Sequence, residues 1–286
     1  MYDAIVIGAG PAGISASLYL KRSNKNVLVL YHGESQLEKA HKIDNFYGFP
    51  NGISGTDLYN NGINQAKNLG ISVIDSEVLS ILMNEKMEFN VKTLDNLYQA
   101  KVIILATGNK KLRPNIKGIE EFEGKGISYC AICDGFFFRK KKVVVIGNGN
   151  YAISEAKELL NVTSDVTILT NGLEIESETD INVETKKIKE ILGEERVNKV
   201  LFEDGTSIDC NGVFIALGSA GGADFAKKLG IYIENDSISV DENMKTTVPG
   251  VYACGNVCGG LLQINKAAYE GAKAALDAVK YINEKR

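Results

Sequence analysis

Six short runs rich in Val and Ile, at residues 3 to 8, 27 to 31, 102 to 106, 143 to 147, 166 to 169 and 213 to 217, have few alternating polar positions. Apolar runs of this length between turn residues predict strands of a parallel sheet buried on both faces. After the first and fourth runs, "GPAGISASLYLKRS" and "YAISEAKELLN" space their apolar residues three and four apart, which predicts two helices. A strand, a glycine-rich turn and a helix thus occur in succession twice. The pattern predicts an α/β fold with two Rossmann-like dinucleotide-binding domains.

Between these two starts, residues 77 to 100, "EVLSILMNEKMEFNVKTLDNLYQA", alternate apolar and polar positions with turn signals at Asn84-Glu85 and Asp95-Asn96. This predicts a small antiparallel meander inserted in the first domain. The chain ends in "INKAAYEGAKAALDAVKYINEKR", an amphipathic helix expected to pack back on that domain. With Pro114 and Pro249 near the expected crossovers, the first domain is predicted as discontinuous, residues 1–112 and 245–286. Residues 113–244 form the second.

Composition narrows the function classes. In 286 residues, 44% hydrophobic and 24% charged, a net charge of −4 offers no global attraction to nucleic acid or an anionic membrane. No basic leader precedes "YDAIVIGAG", and no apolar run approaches the roughly 18 residues of a membrane span, so a cytoplasmic protein is expected. Five cysteines fit a reducing compartment.

"AIVIGAGPAG" sets Gly8, Gly10 and Gly13 after a strand and at the start of a helix. Glycines there permit a tight turn, and the helix amino terminus offers N–H groups to a pyrophosphate. The acid that should hold a ribose about 20 residues further on is not evident. The second strand ends at Leu30-Tyr31-His32, with Glu34 the nearest carboxylate, and the two histidines, His32 and His41, are assigned nothing.

"SYCAICDGFFFRKKK" holds Cys130 and Cys133 two residues apart. That spacing lets two thiols close a small disulfide ring and lets one thiolate attack another disulfide. A zinc site is not expected, since no second Cys-x-x-Cys exists and His is nearly absent. Asp134, directly after the pair, suits proton transfer as the ring opens and closes, or equally a turn position. Cys254 reads as packing, and Cys210 and Cys258 have no evident role.

Together, "GAGPAG", "DNFYGFPNGISGTDL" at 44 to 58, "ATG" at 106 to 108, "CAICDGFFFR" at 130 to 139, "FIALG" at 214 to 218, and "GVYACGNV" followed by Gln263 and "AAYEGAKAAL" resemble the low-molecular-weight thioredoxin reductases over nearly the whole chain. The resemblance implies the FAD/NAD(P)-binding disulfide reductase fold and a homodimer that reduces thioredoxin. It implies FAD held by Gly8, Gly10, Pro11, Ala12, Gly13, Thr107, Gly108, the segment around Asn45, Gly255 and Asn256, with Gln263 near the flavin ring. Cys133 then faces the flavin, Cys130 exchanges with the protein substrate and Asp134 serves as acid/base, while rotation of the second domain carries the dithiol between them.

The second glycine loop departs from the family. Where NADPH-using members place a histidine and arginines to grip the 2′-phosphate, this chain reads "DVTILTNGLEIESETD", residues 165 to 180, with five carboxylates and no Lys or Arg. Each lost charge-assisted hydrogen bond is worth about 1.5–3 kcal/mol, so losing two weakens NADPH by roughly a hundredfold or more. Thr170-Asn171-Gly172 supplies no acid for an NADH ribose at the usual point, with Glu174 a substitute. Asn150 and Tyr151 sit where short residues normally admit the pyrophosphate, which predicts a loop partly filled by side chain. Asn256 replaces the family's usual Asp. These departures resemble the ferredoxin-dependent flavin thioredoxin reductases, implying electrons from ferredoxin, steered by "RKKK" at 139 to 142 with Lys110, Lys111 and Arg113. The alternatives are an NAD(P)H-dependent enzyme with an atypical site, a diflavin variant and a non-catalytic redox-sensing flavin module.

Overall fold

A computed structural model describes residues 1–108, 114–234 and 237–285. The chain first runs through β1 (Tyr2–Ile7), α1 (Pro11–Arg22), β2 (Val27–Tyr31), α2 (Gly55–Asn68), β3 (Ser72–Asp75), β4 (Val78–Met83), β5 (Phe89–Thr93) and β6 (Leu97–Leu105). It continues with α3 (Ile119–Phe122), β7 (Ile127–Ser128), α4 (Ala131–Asp134), β8 (Val143–Ile146), α5 (Asn150–Leu160), β9 (Val166–Leu169), β10 (Asn182–Glu184), β11 (Ile188–Gly193), β12 (Val197–Phe202), β13 (Ser207–Asp209) and β14 (Gly212–Ile215). It closes with α6 (Gly222–Lys228), β15 (Ile233–Glu234), β16 (Ser237–Ile238), β17 (Val251–Ala253) and α7 (Ile264–Glu284). Two compact units result, Met1–Lys110 with Gly221–Arg286, and Lys111–Ala220.

In the first unit the sheet order is β3-β2-β1-β6-β5-β4, with β17 also on β6. The long β6 explains this shape. Its first half pairs antiparallel with β5 and its second half parallel with β1 and β17. The meander predicted at 77 to 100 is therefore continuous with the parallel sheet rather than a separate insert, and its turns form at Asn84 and Asn96 as read. α1 starts on Pro11, whose fixed φ suits a first helical turn, and ends with Lys21 and Arg22 beside the orphan carbonyls. α7 buries Ala267, Gly271, Ala274, Ala275, Ala278 and Ile282, one face of a 3.6-residue repeat, in the core cluster that also holds Ala12, Ala16 and Leu20 of α1. A Cβ on Gly271 would lie 2.1 Å from the Ala12 carbonyl oxygen, so the two helices touch backbone to backbone.

The second unit has a parallel sheet, β10-β9-β8-β14-β7. Val143 and Val145 of β8 pack with Tyr151, Ala152 and Leu159 of α5. Val144 and Ile146, pointing the other way, pack with Ile191, Val200 and Phe202 of the antiparallel β11-β12-β13. Alternate residues of one strand thus serve two faces, as pleating requires.

Two sequence expectations need correction. The chain rejoins the first unit at Gly221 rather than at residue 245. Gly222 fixes the return: its N–H donates to Thr107 Oγ1 at 2.9 Å, and a Cβ there would lie 2.5 Å from Val257 Cγ2. Pro249 accordingly marks the turn into β17 and no crossover. Among the described residues no helix is long and apolar enough to cross a membrane.

Candidate flavin and dithiol sites

The first glycine loop joins β1 to α1. A Cβ on Gly8, at φ +115°, would lie 2.3 Å from Ala106 O, and one on Gly13 would lie 1.9 Å from Gly8 O. Backbone packing alone demands both glycines. Gly10 is different: no atom lies within 4 Å of the position of its Cβ, and as N-cap of α1 it has no side chain to take the first amides. Pro11 has no N–H, so the Ala12 and Gly13 amides, which lack intrahelical acceptors, face an open approach that fits a pyrophosphate.

The carboxyl ends of β1, β6 and β17 lie side by side and bring the other expected cofactor residues to this end of the sheet. Thr107 and Gly108, the latter at φ +71°, follow β6. Gly255 and Asn256 follow β17, and a Cβ on Gly255 would lie 2.9 Å from that of Ala12. Asn45 and Gln263, far apart in sequence, meet through an Asn45 Nδ2 to Gln263 Oε1 hydrogen bond of 3.2 Å. Glu34 is exposed after β2.

Two residues that the sequence reading passed over hold this loop. The Gly255 N–H donates to Glu270 Oε2 at 2.8 Å, Lys266 Nζ lies 3.0 Å from the same carboxylate, and Lys266 donates to Gly255 O. A Lys-Glu pair one helical turn apart on α7, Glu270 buried and Lys266 partly so, thus clamps the backbone that presents Asn256. Its signal was the i, i+4 spacing on an otherwise small-residue face.

The second glycine loop, β8 to α5, repeats the backbone and not the opening. A Cβ on Gly147 would lie 2.1 Å from Ala216 O, the counterpart of the Gly8 contact. A Cβ on Gly149 would lie 2.8 Å from Glu176 Oε2. The segment bearing that carboxylate is tied across the loop: Glu176 N–H donates to Asn148 O at 2.9 Å, Asn148 Nδ2 to Glu174 O at 3.1 Å, and Ser177 Oγ to Asn150 Oδ1 at 2.8 Å. The side chain expected to fill the loop, Tyr151, does not do so. It is 2% exposed and packs in the core with Phe138 and Phe214, and the residues after Leu169 fill the loop instead. At the end of β9, Thr170 donates to Leu173 O and Asn171 Oδ1 accepts from Ile188 N–H, so both are committed to the loop itself.

Cys130 and Cys133 form a disulfide with Cα atoms 5.3 Å apart. Cys130, 3% exposed, is the N-cap of the one-turn α4, and the Cys133 N–H donates to its sulfur at 3.2 Å. Cys133 is exposed. Of the pair, Cys133 is thus the more exposed residue, and Cys130, to which the resemblance gives protein exchange, the buried one. Asp134 Oδ2 accepts from Ser128 Oγ at 2.6 Å, and that hydroxyl accepts from Cys130 N–H at 3.1 Å. Ser128 thus links the carboxylate to the backbone of the first cysteine, a contact that only the fold reveals. Ile132, Phe136 and Phe137 expose apolar surface beside Cys133, with the Arg139 guanidinium 4.8 Å from the Phe136 ring centroid. Burial pushes the thiols of Cys210 and Cys258 up to about 12, and Cys254 well up, so none is a nucleophile at neutral pH. Residues 139 to 142 are exposed; Lys110, Lys111 and Arg113 lie outside the described residues.

The sequence pattern of the pyridine nucleotide-disulphide oxidoreductases matches residues 2–271. The chain belongs to that family. Within it, the thioredoxin reductase of Aquifex aeolicus is 35% identical over all of this chain and 95% of the relative. The crystal structure of the atypical thioredoxin reductase TRi from Desulfovibrio vulgaris Hildenborough is 38% identical, with a TM-score of 0.95 over 100% of this chain and 99% of that one. That of a ferredoxin-flavin thioredoxin reductase from Clostridium acetobutylicum is 32% identical, with a TM-score of 0.74 over 99% and 98%. The chain is thus a thioredoxin reductase homologue and an FAD-binding oxidoreductase.

Proposed function

We propose that this protein is a thioredoxin reductase that draws its electrons from reduced ferredoxin rather than from a pyridine nucleotide. The observation that carries the reading is the closed second loop. Asn148 O, which lies where a pyrophosphate would cross the loop, is occupied by the Glu176 N–H, and the Glu176 carboxylate stands over Gly149. A phosphate approaching there meets the tied segment 174 to 177 and a carboxylate in front of the α5 N-cap. At the strand end beyond, Thr170 and Asn171 are committed to holding their own loop, and the Lys187 side chain lies against Gly172, where a Cβ would come 2.6 Å from its Cγ.

The division of labour follows from what each unit presents. FAD would be held at the first loop by Gly8, Gly10, Pro11, Ala12, Gly13, Thr107, Gly108, Gly255 and Asn256, with the hydrogen-bonded pair Asn45 and Gln263 also contributing to the site. When bound, FAD supplies the conversion of one-electron donation into two-electron reduction. The Cys130–Cys133 disulfide takes the electron pair, Asp134, aligned by Ser128, moves the proton, and the dithiol then reduces thioredoxin. Ile132, Phe136 and Phe137 offer thioredoxin an apolar landing beside Cys133, and the exposed cations at 139 to 142 offer an acidic ferredoxin a steering field.

Anaerobic flavin absorbance with NADPH, NADH and reduced ferredoxin in parallel tests this reading. Ferredoxin is expected to bleach the 450 nm band within the turnover time, and both nucleotides to leave it. Fast bleaching by either nucleotide overturns the proposal.

A further inference from the structure

α5 keeps one residue that neither its closed nucleotide loop nor its packing face explains. Glu155 is 2% exposed, on a helix face whose other buried residues are Tyr151, Ala152, Ile153, Ala156 and Leu159. Burying a carboxylate among apolar side chains costs free energy that an amide or an apolar residue would avoid. Its Oε2 accepts the backbone N–H of Ala131 at 2.9 Å. Ala131 is the residue between the two cysteines that directly follows Cys130, and the first residue of α4.

The amides of that turn have a particular use in the reaction. Reduction breaks the Cys130–Cys133 bond; two electrons enter, supplied in turnover by the flavin, and one proton yields a thiolate and a thiol while two yield a dithiol. The nearer the backbone N–H donors are to a nascent thiolate, the more the reduced form is stabilised and the weaker it is as a reductant. Cys133 N–H already points at Cys130 Sγ, and Asp134 N–H is taken by Cys130 O. Ala131 N–H, the donor covalently next to Cys130, is bound by Glu155. On the other side of the turn Ser128 holds the Asp134 carboxylate.

We propose that Glu155 is a positioning residue for the dithiol: by engaging the Ala131 amide with a buried carboxylate, it withholds that donor from the Cys130 thiolate and keeps the dithiol strongly reducing. The role is independent of which donor loads the flavin. It also gives α5 a purpose that outlasts nucleotide binding, as the mount of the redox turn.

The test equilibrates the FAD-loaded enzyme in dithiothreitol redox buffers and quantifies the Cys130–Cys133 disulfide by alkylation and mass spectrometry, so the readout needs neither ferredoxin nor thioredoxin. In Glu155→Ala the equilibrium is expected to favour the dithiol about tenfold more than in the wild type, a rise of about 30 mV for a two-electron couple. Glu155→Gln, whose amide oxygen still accepts from Ala131 but carries no charge, is expected to shift the same way by a smaller factor. An unchanged or lowered potential in Glu155→Ala overturns the proposal. If that variant does not fold, Glu155→Gln decides alone: a raised potential supports the role and an unchanged one refutes it.

Discussion

The two glycine loops are close to the same object in backbone and opposite in use. Gly8 and Gly147 each pass so near a neighbouring strand end that a Cβ would lie 2.3 or 2.1 Å from a carbonyl oxygen, of Ala106 and Ala216 respectively. Gly10 and Gly149, the N-caps, share extended backbones with ψ of −178° and −177°. The difference is what stands in front of the N-cap: nothing within 4 Å at Gly10, and the Glu176 carboxylate at Gly149. Glycine spacing therefore reports strand-to-helix packing, and only the space before the N-cap reports a ligand.

The largest effect comes from making the first loop resemble the second. Gly10→Asp places a carboxylate where the approach is open, so it both repels the pyrophosphate and captures the amides meant for it. Losing about 3 kcal/mol of such contacts corresponds to roughly a hundredfold weaker FAD binding. The variant is expected to purify largely without its 450 nm absorbance while keeping wild-type far-ultraviolet circular dichroism. Full flavin content would break the comparison at its root.

Next in size is the third position of each loop. Gly13 admits no side chain, because a Cβ would meet Gly8 O at 1.9 Å, and Gly13→Ala is expected to cost about 3 kcal/mol, the upper range for forced overpacking. The second loop already carries Ala152 there, fully buried, so Ala152→Gly is expected to cost only the helix propensity difference, about 1 kcal/mol. Chemical denaturation of both variants measures the contrast. Equal losses would mean that the loops are not equivalent in packing.

How much of this was legible beforehand depends on the range of the interaction. Both turns were readable because glycines at fixed spacing between an apolar strand and a helix act within about ten residues. The disulfide pair was readable for the same reason. Glu176 stood out only as one of five acids in a run; that its backbone bonds to Asn148 O depends on how the chain turns after Leu169. Glu155 occupies a position that periodicity assigns to the core, so the pattern marked the place and not the purpose. The return at Gly221 carried no proline, only the glycines of "GSAGGAD", and its cause, the Thr107 contact, is a pairing of residues more than a hundred positions apart. The strands β11 to β13 went unread because Lys and Glu occupy their outer face in short, irregular alternation.

The smallest effect is the most informative about how the second loop was closed. Glu176 is exposed, so its side chain alone can swing away at little cost, whereas the Glu176 N–H to Asn148 O and Asn148 to Glu174 O bonds hold the segment across the loop whatever the side chain does. Glu176→Ala therefore removes repulsion and leaves the obstruction. Repulsion between exposed charges is screened over about 8 Å at physiological ionic strength, and its removal is worth about 1 kcal/mol or less. Calorimetric titration with ADP-ribose is expected to show at most a fivefold to tenfold gain, with Kd no better than about 1 mM. Micromolar binding would mean that a single carboxylate closes the loop and that the tied segment is incidental. The expected weak gain instead assigns the closure to the backbone, which a reversal of one substitution does not undo.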